Sequence, residues 1–188
     1  EVRALDDSDK VLEADIRHDA RATRLVRDVS EKDKNIRVSL HTTGPTPPDW
    51  IGGWQPFGTI FDEDWRIGLT PKLPIVLDVN AGVNRSSLDL RGLRLTRLDL
   101  NAGVGDMEVM LPDQGTYEVS INGGVGAVRI EIPEDVEARI RVDGGLGAVS
   151  VSGRFERQGK YYVTEGYANA DDRVEIDVDG GVGSITIQ

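Results

Sequence analysis

The sequence predicts an all-β protein whose main part is a short single-stranded β-solenoid, or β-helix, with 21-residue coils and an N-terminal capping β segment. Three observations predict this fold. A glycine-rich element recurs along the chain, apolar and polar residues alternate within each copy, and turn-forming residues separate the copies. One copy cannot bury its apolar face alone, so we expect successive copies to stack with their columns aligned.

The repeat is defined by two columns of aligned residues. The glycine column contains Gly82, Gly103, Gly124, Gly145 and Gly181; the first four are 21 residues apart, and the last follows after one period plus a 15-residue insertion. The Asx column contains Asn80, Asn101, Asn122, Asp143 and Asp179. We expect the glycines to have positive φ or to lie at close backbone approaches. We expect the Asx side chains to hydrogen-bond the backbone of neighbouring coils at a bend.

Each repeat carries the period-2 pattern of a half-buried strand. Val128, Ile130 and Ile132 alternate with charged residues, and Pro133 follows the last of them, where a missing N–H costs least. In a solenoid of successive coils, Leu100 should contact Ile121, and Ile121 should contact Val142. An antiparallel sandwich remains an alternative, because 21 residues also accommodate two strands of a meander.

Alignment of the repeats predicts one outward-facing file of charges. It would contain Arg97, Glu118, Arg139 and Glu175, with alternating sign. Neighbouring coils would then pair opposite charges, which sets the register more than the stability.

Three segments organise the chain. Residues 1–43 lack the repeat and are interpreted as a strand-rich segment that packs on the solenoid. Residues 44–66 are a connector or cap rich in proline, glycine and aromatic residues, and residues 67–188 are the solenoid, with an insertion at 154–172 that we expect to leave the coil as a hairpin.

Aromatic residues are concentrated in the connector and in the insertion. They are Trp50, Trp54, Phe57, Phe61 and Trp65 in the first group, and Tyr161, Tyr162 and Tyr167 in the second. Two interpretations stay open, a cap folded on the solenoid or a surface that contacts a sugar, peptide or partner protein.

Composition excludes several classes of function. The net charge of −11, with no basic patch, argues against nucleic acid as a partner. The chain has no cysteine, and its apolar runs are far shorter than the about 20 residues needed to span a bilayer. The sequence starts at Glu1, and we expect a removed upstream segment to hold a signal or an anchor, so any membrane association would depend on that segment.

No motif for catalysis, cofactor binding or metal binding is present in the sequence. His18 and His41 have no second ligand at metal spacing, and the acidic run at 62–64 is typical of a solvated turn. The glycine-rich element lacks the aspartate of calcium-binding repeats, since Val128 takes that position. Stacking would place Asp78 beside Asp99, which leaves a polysaccharide-acting β-helix enzyme as the alternative function.

Several stretches of the chain resemble a known family. They are "WRIGLTPKLPIVLDVNAGVNRSSLDLRGLRLTRLDLNAGVGDMEVMLP", the two following GGVGAV and GGLGAV coils, and "GKYYVTEGYANADDRVEIDVDGGVGSITI". They are similar to the toast-rack family of bacterial envelope proteins and to the C-terminal domain of LiaF-type cell-envelope stress regulators. The resemblance implies a non-enzymatic, extracytoplasmic interaction or sensing module, membrane-anchored or secreted. Its partner would be an envelope protein or peptide, with self-association through the solenoid ends as a further expectation.

Overall fold

The computed structural model describes residues 1–6, 9–17, 24–32, 35–43, 64–80, 82, 85–101, 103–122, 124–143, 146–179 and 181–188. Within these ranges every regular element is a β-strand, so the all-β prediction is confirmed. In the same ranges, no helix has the length and apolar character needed to cross a membrane.

The chain divides into two compact units. The first contains Glu1–Glu13 and Ile67–Gln188, and the second contains Ala14–Arg66. One division falls inside the segment 1–43, which the sequence analysis treated as a single piece, and the other falls at the start of the repeats.

The non-repeating part of the chain forms five strands. They are β1 (Val2–Ala4), β2 (Leu12–Arg17), β3 (Arg24–Lys32), β4 (Asn35–Thr43) and β5 (Asp64–Leu69). In the second unit, β3 and β4 form an antiparallel hairpin in which Arg24 pairs with Thr43. In the first unit, β1 pairs in parallel with β5 on one side and with β7 (Ser86–Asp89) on the other. The first residues of the chain are therefore built into the repeat sheet.

The repeats and the insertion form the remaining strands. They are β6 (Pro74–Asn80), β7 (Ser86–Asp89), β8 (Arg94–Asn101), β9 (Val104–Met110), β10 (Thr116–Asn122), β11 (Val125–Glu131), β12 (Glu137–Asp143), β13 (Leu146–Val151), β14 (Glu156–Gln158), β15 (Tyr161–Val163), β16 (Arg173–Asp179) and β17 (Val182–Ile187). Each repeat contributes one strand to each of two sheets. The eight-stranded sheet has the order β13-β17-β11-β9-β7-β1-β5-β2, and the seven-stranded sheet has the order β14-β15-β12-β16-β10-β8-β6.

Strands of neighbouring repeats pair in parallel and in the register of the repeat. Leu100 pairs with Ile121 in one sheet, and Val104 pairs with Val125 in the other, so these partners are 21 residues apart. Parallel pairing follows because every repeat runs through the two sheets in the same direction. The antiparallel sandwich is therefore wrong for the repeats.

The order of the repeats differs from the predicted succession of coils. Ile121 pairs with Val178, and Val178 pairs with Val142, so the fifth repeat lies between the third and the fourth. The predicted contact of Ile121 with Val142 is wrong for this reason. The insertion supplies the length of chain that lets the last repeat return past the fourth one, where its apolar columns match both neighbours. The two sheets do not close, and a solenoid of successive coils is not what the chain forms.

Inward-facing residues of both sheets make one hydrophobic core. Alternation along the strands turns one face of each sheet towards this core. The residues with no exposed surface include Leu98, Leu100, Ile121, Ile140 and Ile176. Each such side chain contributes about 1.5–3 kcal/mol through burial. The core thus extends across all the repeats and includes Val2 of the N-terminal strand.

Close backbone approach occurs at a different glycine column from the predicted one. Gly126 has a φ of 146°, and a Cβ on it would overlap the carbonyl oxygen of Gly105; Gly183 has a φ of 152° and stands in the same relation to Gly126. A Cβ on Gly82, in the predicted column, would meet no atom within 4 Å. The carbonyls of that column instead accept hydrogen bonds from the next repeat, as when the N–H of Val125 donates to Gly103 over 2.9 Å.

Candidate interaction surfaces

Charged residues form the predicted file on the outer face of the seven-stranded sheet. Pairing aligns Arg97 with Glu118, Glu118 with Glu175, and Glu175 with Arg139. The four residues share one row, but the predicted alternation of sign is wrong, because the intercalated fifth repeat puts two glutamates side by side. Arg139 donates to Glu175 over 2.6 Å, whereas Arg97 lies 3.8 Å from Glu118.

The asparagines form a ladder along one row of the same sheet. The amide of Asn101 donates to the Oδ1 atom of Asn80, and the amide of Asn122 donates to that of Asn101, each over 2.9 Å. The sequence analysis predicted that these side chains would hydrogen-bond the neighbouring backbone. In the structure they hydrogen-bond one another instead. The row continues with Asp179 and then Asp143. This arrangement links successive repeats through identical groups.

The carboxylates between these two rows are engaged in local contacts. Arg97 holds Asp99 through two hydrogen bonds of 2.8 and 3.0 Å, and this contact raises the pKa of Arg97. Asp78, the neighbour of Asp99, accepts a hydrogen bond of 3.0 Å from Asn80 and is exposed. These two carboxylates therefore behave as acceptors on a sheet face. Among the described residues, no three His, Cys, Asp or Glu residues come together as a possible metal site.

The tyrosines of the insertion pack around an arginine. The guanidinium of Arg139 lies 5.3 Å from the ring centres of both Tyr161 and Tyr167. Burial is the main cause of the raised pKa of Tyr167. Tyr162 packs against the hydrophobic core, and the guanidinium of Arg157 lies 5.9 Å from its ring centre. All three tyrosines are half-buried, so each offers a partner only part of its surface.

The insertion forms the predicted hairpin and extends the seven-stranded sheet. Strands β14 and β15 are antiparallel, and β15 pairs with β12. The hydroxyl of Thr164 accepts a hydrogen bond of 2.8 Å from the N–H of Ala138, and the N–H of Thr164 donates to the carbonyl of Ala138. Arg154 donates to the carbonyls of Ile132, Pro133 and Glu134. Arg154 thus fastens the start of the insertion to the turn that follows the third repeat, and Thr164 fastens its middle to the fourth repeat.

An exposed row of valines crosses the outer face of the eight-stranded sheet. We name it the valine file; it consists of Val104, Val125 and Val182, which pair across adjacent strands and are 49%, 51% and 51% exposed. The sequence analysis missed this surface. The signal was present, because Val125 is three residues before the buried Val128 and must face the other side of a period-2 strand. Three neighbouring valines make a ridge that a partner could cover.

Several predicted contact residues lie outside the described part of the chain. They are Trp50, Trp54, Phe57 and Phe61, and the same is true of His18 and Gly145. Trp65 belongs to β5 and is half-buried. The proposed contact role of these aromatic residues stays a prediction.

Two family models match the chain. The model described as the N-terminal domain of toast_rack matches residues 1–131, and the model described as the C-terminal region of LiaF of the cell wall-active antibiotics response matches residues 88–187. No curated protein sequence matches the chain.

A solved structure has a similar fold. It is the crystal structure of a candidate cell adhesion protein from Clostridium sporogenes, with a TM-score of 0.82 and 22% sequence identity. The alignment covers 99% of this chain and 85% of that one. At this identity the similarity concerns the fold.

Proposed function

Because the chain belongs to the toast-rack family, we propose that it is a non-enzymatic interaction or sensing module on the extracytoplasmic side of the bacterial cell envelope. The observation that carries the proposal is the pair of family matches, which together extend over residues 1–187. The description of the second model, which names the response to cell wall-active antibiotics, supports the envelope-stress part of the proposal. The partner would be an envelope protein or peptide.

The geometry is suited to presenting a surface. Parallel strands in repeat register place equivalent side chains in straight rows, as in the valine file and the asparagine ladder. We propose that the two sheets act as a short, rigid rack of stacked 21-residue units, a variant of a β-solenoid whose last two units have exchanged places. Rigid rows of this kind fit an extended or repetitive partner without a large loss of conformational entropy on binding.

The arrangement of the carboxylates supports the non-enzymatic part of the proposal. A glycosidase needs an acid and a second carboxylate on opposite sides of a bound sugar. Here Asp78 and Asp99 are neighbours on one sheet face, and Asp99 is in an ion pair with Arg97. No observation favours the polysaccharide-acting alternative. Release of reducing ends from an envelope polysaccharide by the purified chain would contradict the proposal.

A genetic experiment tests the function. A bacterium that lacks this chain and carries a reporter of the response to cell wall-active antibiotics should show altered reporter induction, and the wild-type chain should restore it. The Trp50→Ala, Trp54→Ala double variant should restore less, because aromatic anchors commonly contribute about 2 kcal/mol or more, roughly thirty-fold in affinity. Val29→Ala, at an exposed position of the same unit, is the control. An unchanged response in the deletion strain would refute the envelope-stress role.

A further inference from the structure

One edge of the eight-stranded sheet is uncovered and lies beside a projecting hairpin. The consecutive strands β12 and β13 of the fourth repeat belong to opposite sheets. The eight-stranded sheet ends at β13, whereas the seven-stranded sheet continues past β12 with β15 and then β14. The hairpin therefore projects beyond the last strand of the other sheet. In the part of the chain that the structure describes, no strand pairs with β13 on the side away from β17.

The backbone of β13 directs hydrogen-bonding groups to this open side. The N–H of Ser152 donates to the carbonyl of Ile187 over 2.8 Å, towards β17. Backbone groups alternate in direction along a strand, so the N–H and C=O groups of Gly147 and Val149 point away from β17. The sequence of β13, LGAVSV, contains no charge and no proline that would discourage pairing. The open side is thus a template for one more strand.

Apolar surface is exposed at the same edge. Val149 belongs to the inward-facing row of Met107, Val128 and Ile185. Those three residues are 4%, 7% and 8% exposed, but Val149 is 40% exposed. After β13 the chain crosses to β14, and Phe155 of this crossing is buried. The open part of the edge is therefore centred on Val149.

The hairpin turns a tyrosine and an arginine towards this space. Tyr162 pairs with the buried Ile140 on one side and with Arg157 on the other, so all three share the inward face. Tyr162 is half-buried, and Arg157 is exposed. Within the described ranges Arg157 has no ion pair, and Glu156, the next residue on β14, faces the opposite side. An unpaired cation therefore lies beside an uncharged apolar edge.

The hairpin also limits what fits at the edge. Two copies of the chain joined antiparallel at β13, with both inward rows on one face, would bring β12 of one copy onto the hairpin of the other. A single extended segment brings no second layer with it and avoids this collision. The edge is therefore suited to a peptide strand and not to the edge of a second two-layered molecule.

We propose that the open side of β13 binds one extended segment of a partner protein that carries apolar residues and a carboxylate. The segment pairs its backbone with Gly147 and Val149, covers Val149 and Tyr162 with an apolar side chain, and brings a carboxylate to Arg157. An acidic segment fits better than a basic one because of the charge on Arg157. The proposal rests on the function proposed above and adds to it the place and the chemistry of the contact.

Peptide titration tests the chemistry. The probe is a fluorescein-labelled peptide, Thr-Val-Glu-Val-Glu-Val-Thr, whose binding to the full chain is followed by fluorescence anisotropy. A matched peptide with lysine in place of glutamate should bind about five-fold more weakly, although the net charge of −11 alone would favour it. The glutamate peptide with an N-methylated backbone should not bind, because it cannot pair with the edge. Absence of binding by the glutamate peptide, or equal binding of all three, would overturn the proposal.

Protein variants locate the contact. Val149→Lys should weaken binding of the glutamate peptide by about ten-fold or more, because it places a charge at the centre of the edge. Val76→Lys is the matched control, since Val76 is 67% exposed on β6, the edge strand of the other sheet. Arg157→Gln should weaken the glutamate peptide by about two- to five-fold and leave the lysine peptide unaffected. Equal affinities of Val149→Lys and Val76→Lys would exclude β13 as the site.

Hydrogen exchange gives a second, local measurement. Addition of the glutamate peptide should protect the amides of Gly147 and Val149, and it should change little at Ser150, whose N–H points to β17. Protection confined to other strands would contradict pairing at β13.

The reporter strain separates this proposal from the function on which it rests. Val149→Lys should restore the antibiotic response less than Val76→Lys. Full restoration by Val149→Lys would overturn the edge as the contact site and leave the envelope-stress role in place. An unchanged response in the deletion strain would refute that role, whereas the peptide titration would still decide whether β13 binds an extended segment.

Discussion

At the scale of single residues, the row of Gly105, Gly126 and Gly183 is where the sheet admits no side chain. A Cβ on Gly126 would overlap the carbonyl oxygen of Gly105, one on Gly183 would overlap that of Gly126, and one on Gly147, the next member of the row, would overlap that of Gly183. Such a contact cannot be relieved by a change of rotamer, because both atoms belong to backbones in a ladder of parallel strands. These glycines therefore set the spacing of the repeats at this point.

Replacement of Gly126 by alanine should destabilise the fold severely. We expect a loss of at least about 2 kcal/mol in the free energy of unfolding, from the steric overlap together with the positive φ. Gly82→Ala is the control, because its Cβ would meet no atom within 4 Å. Urea denaturation of the two variants measures the difference, and equal midpoints would show that the close approach does not constrain the fold.

Tyr117 is a buried residue whose ionisation should affect stability. Its hydroxyl donates to the carbonyl of Pro112 over 2.8 Å, and burial raises its pKa above the ordinary value of 10.0. The contribution of the neutral hydroxyl is fully present below the unfolded-state pKa and is lost as the pH rises towards the folded-state pKa. The protein should therefore lose stability above about pH 10.

The Tyr117→Phe variant tests this role. At neutral pH it should lose about 1–3 kcal/mol, because the carbonyl of Pro112 keeps its buried position without its donor. Its stability should also fall less steeply with pH above 10 than that of the wild type. Unfolding curves collected from pH 7 to pH 11 provide both results, and parallel pH profiles would exclude Tyr117 as the responsible group.

At the scale of elements, the asparagine ladder joins β6, β8 and β10 by contacts that depend on their register. Asn101 is the central member, which donates to Asn80 and accepts from Asn122. Asn101→Ala should therefore cost more than Asn122→Ala, with about 0.5–1 kcal/mol per lost hydrogen bond at this partly exposed face. Thermal unfolding of the two variants measures the difference. A larger loss of stability for Asn122→Ala than for Asn101→Ala would contradict the central role of Asn101 in the ladder.

The insertion is a second element with a defined attachment. Thr164→Val should loosen the hairpin of β14 and β15, since the buried N–H of Ala138 would lose the hydroxyl that it donates to. The expected cost is about 1–3 kcal/mol. Thr164→Ser retains the hydroxyl and should restore most of the stability. Hydrogen exchange at Ala138 gives a local measurement, and equal protection in both variants would contradict this attachment.

At the scale of the whole molecule, the last repeat lies between the third and fourth repeats and completes the hydrophobic core there. Strands β16 and β17 have parallel neighbours on both sides, and Val174 and Ile176 have no exposed surface. A chain that ends at Asp172 should therefore fail to fold cooperatively, because it would expose the facing edges of the third and fourth repeats. Circular dichroism melts and size-exclusion chromatography test this expectation. A cooperative melt in the shortened chain would favour stacking in chain order.

Much of this architecture could be predicted from the sequence, because it depends on local patterns. Period 2 specified which faces of the strands are inward, and the columns specified which residues are equivalent, so Leu100 and Ile121 are neighbours as expected. The same columns located the charged file and the Asx row. The glycine of close approach was assigned two residues too early, since four of the five repeats carry glycine at both positions and only the backbone path separates the two.

The sequence by itself determined an all-β chain of equivalent repeats and the row to which each residue belongs. Only the tertiary structure decided the order in which the repeats follow one another along those rows. Val142 and Val178 occupy the same column with similar side chains, so pairing with Ile121 is chemically equivalent for either. The choice depends on contacts between distant parts of the chain, above all the insertion, which pairs with the outer edge of β12 and holds Arg139 between Tyr161 and Tyr167. The insertion lacks the repeat pattern, so its position could not be read from columns.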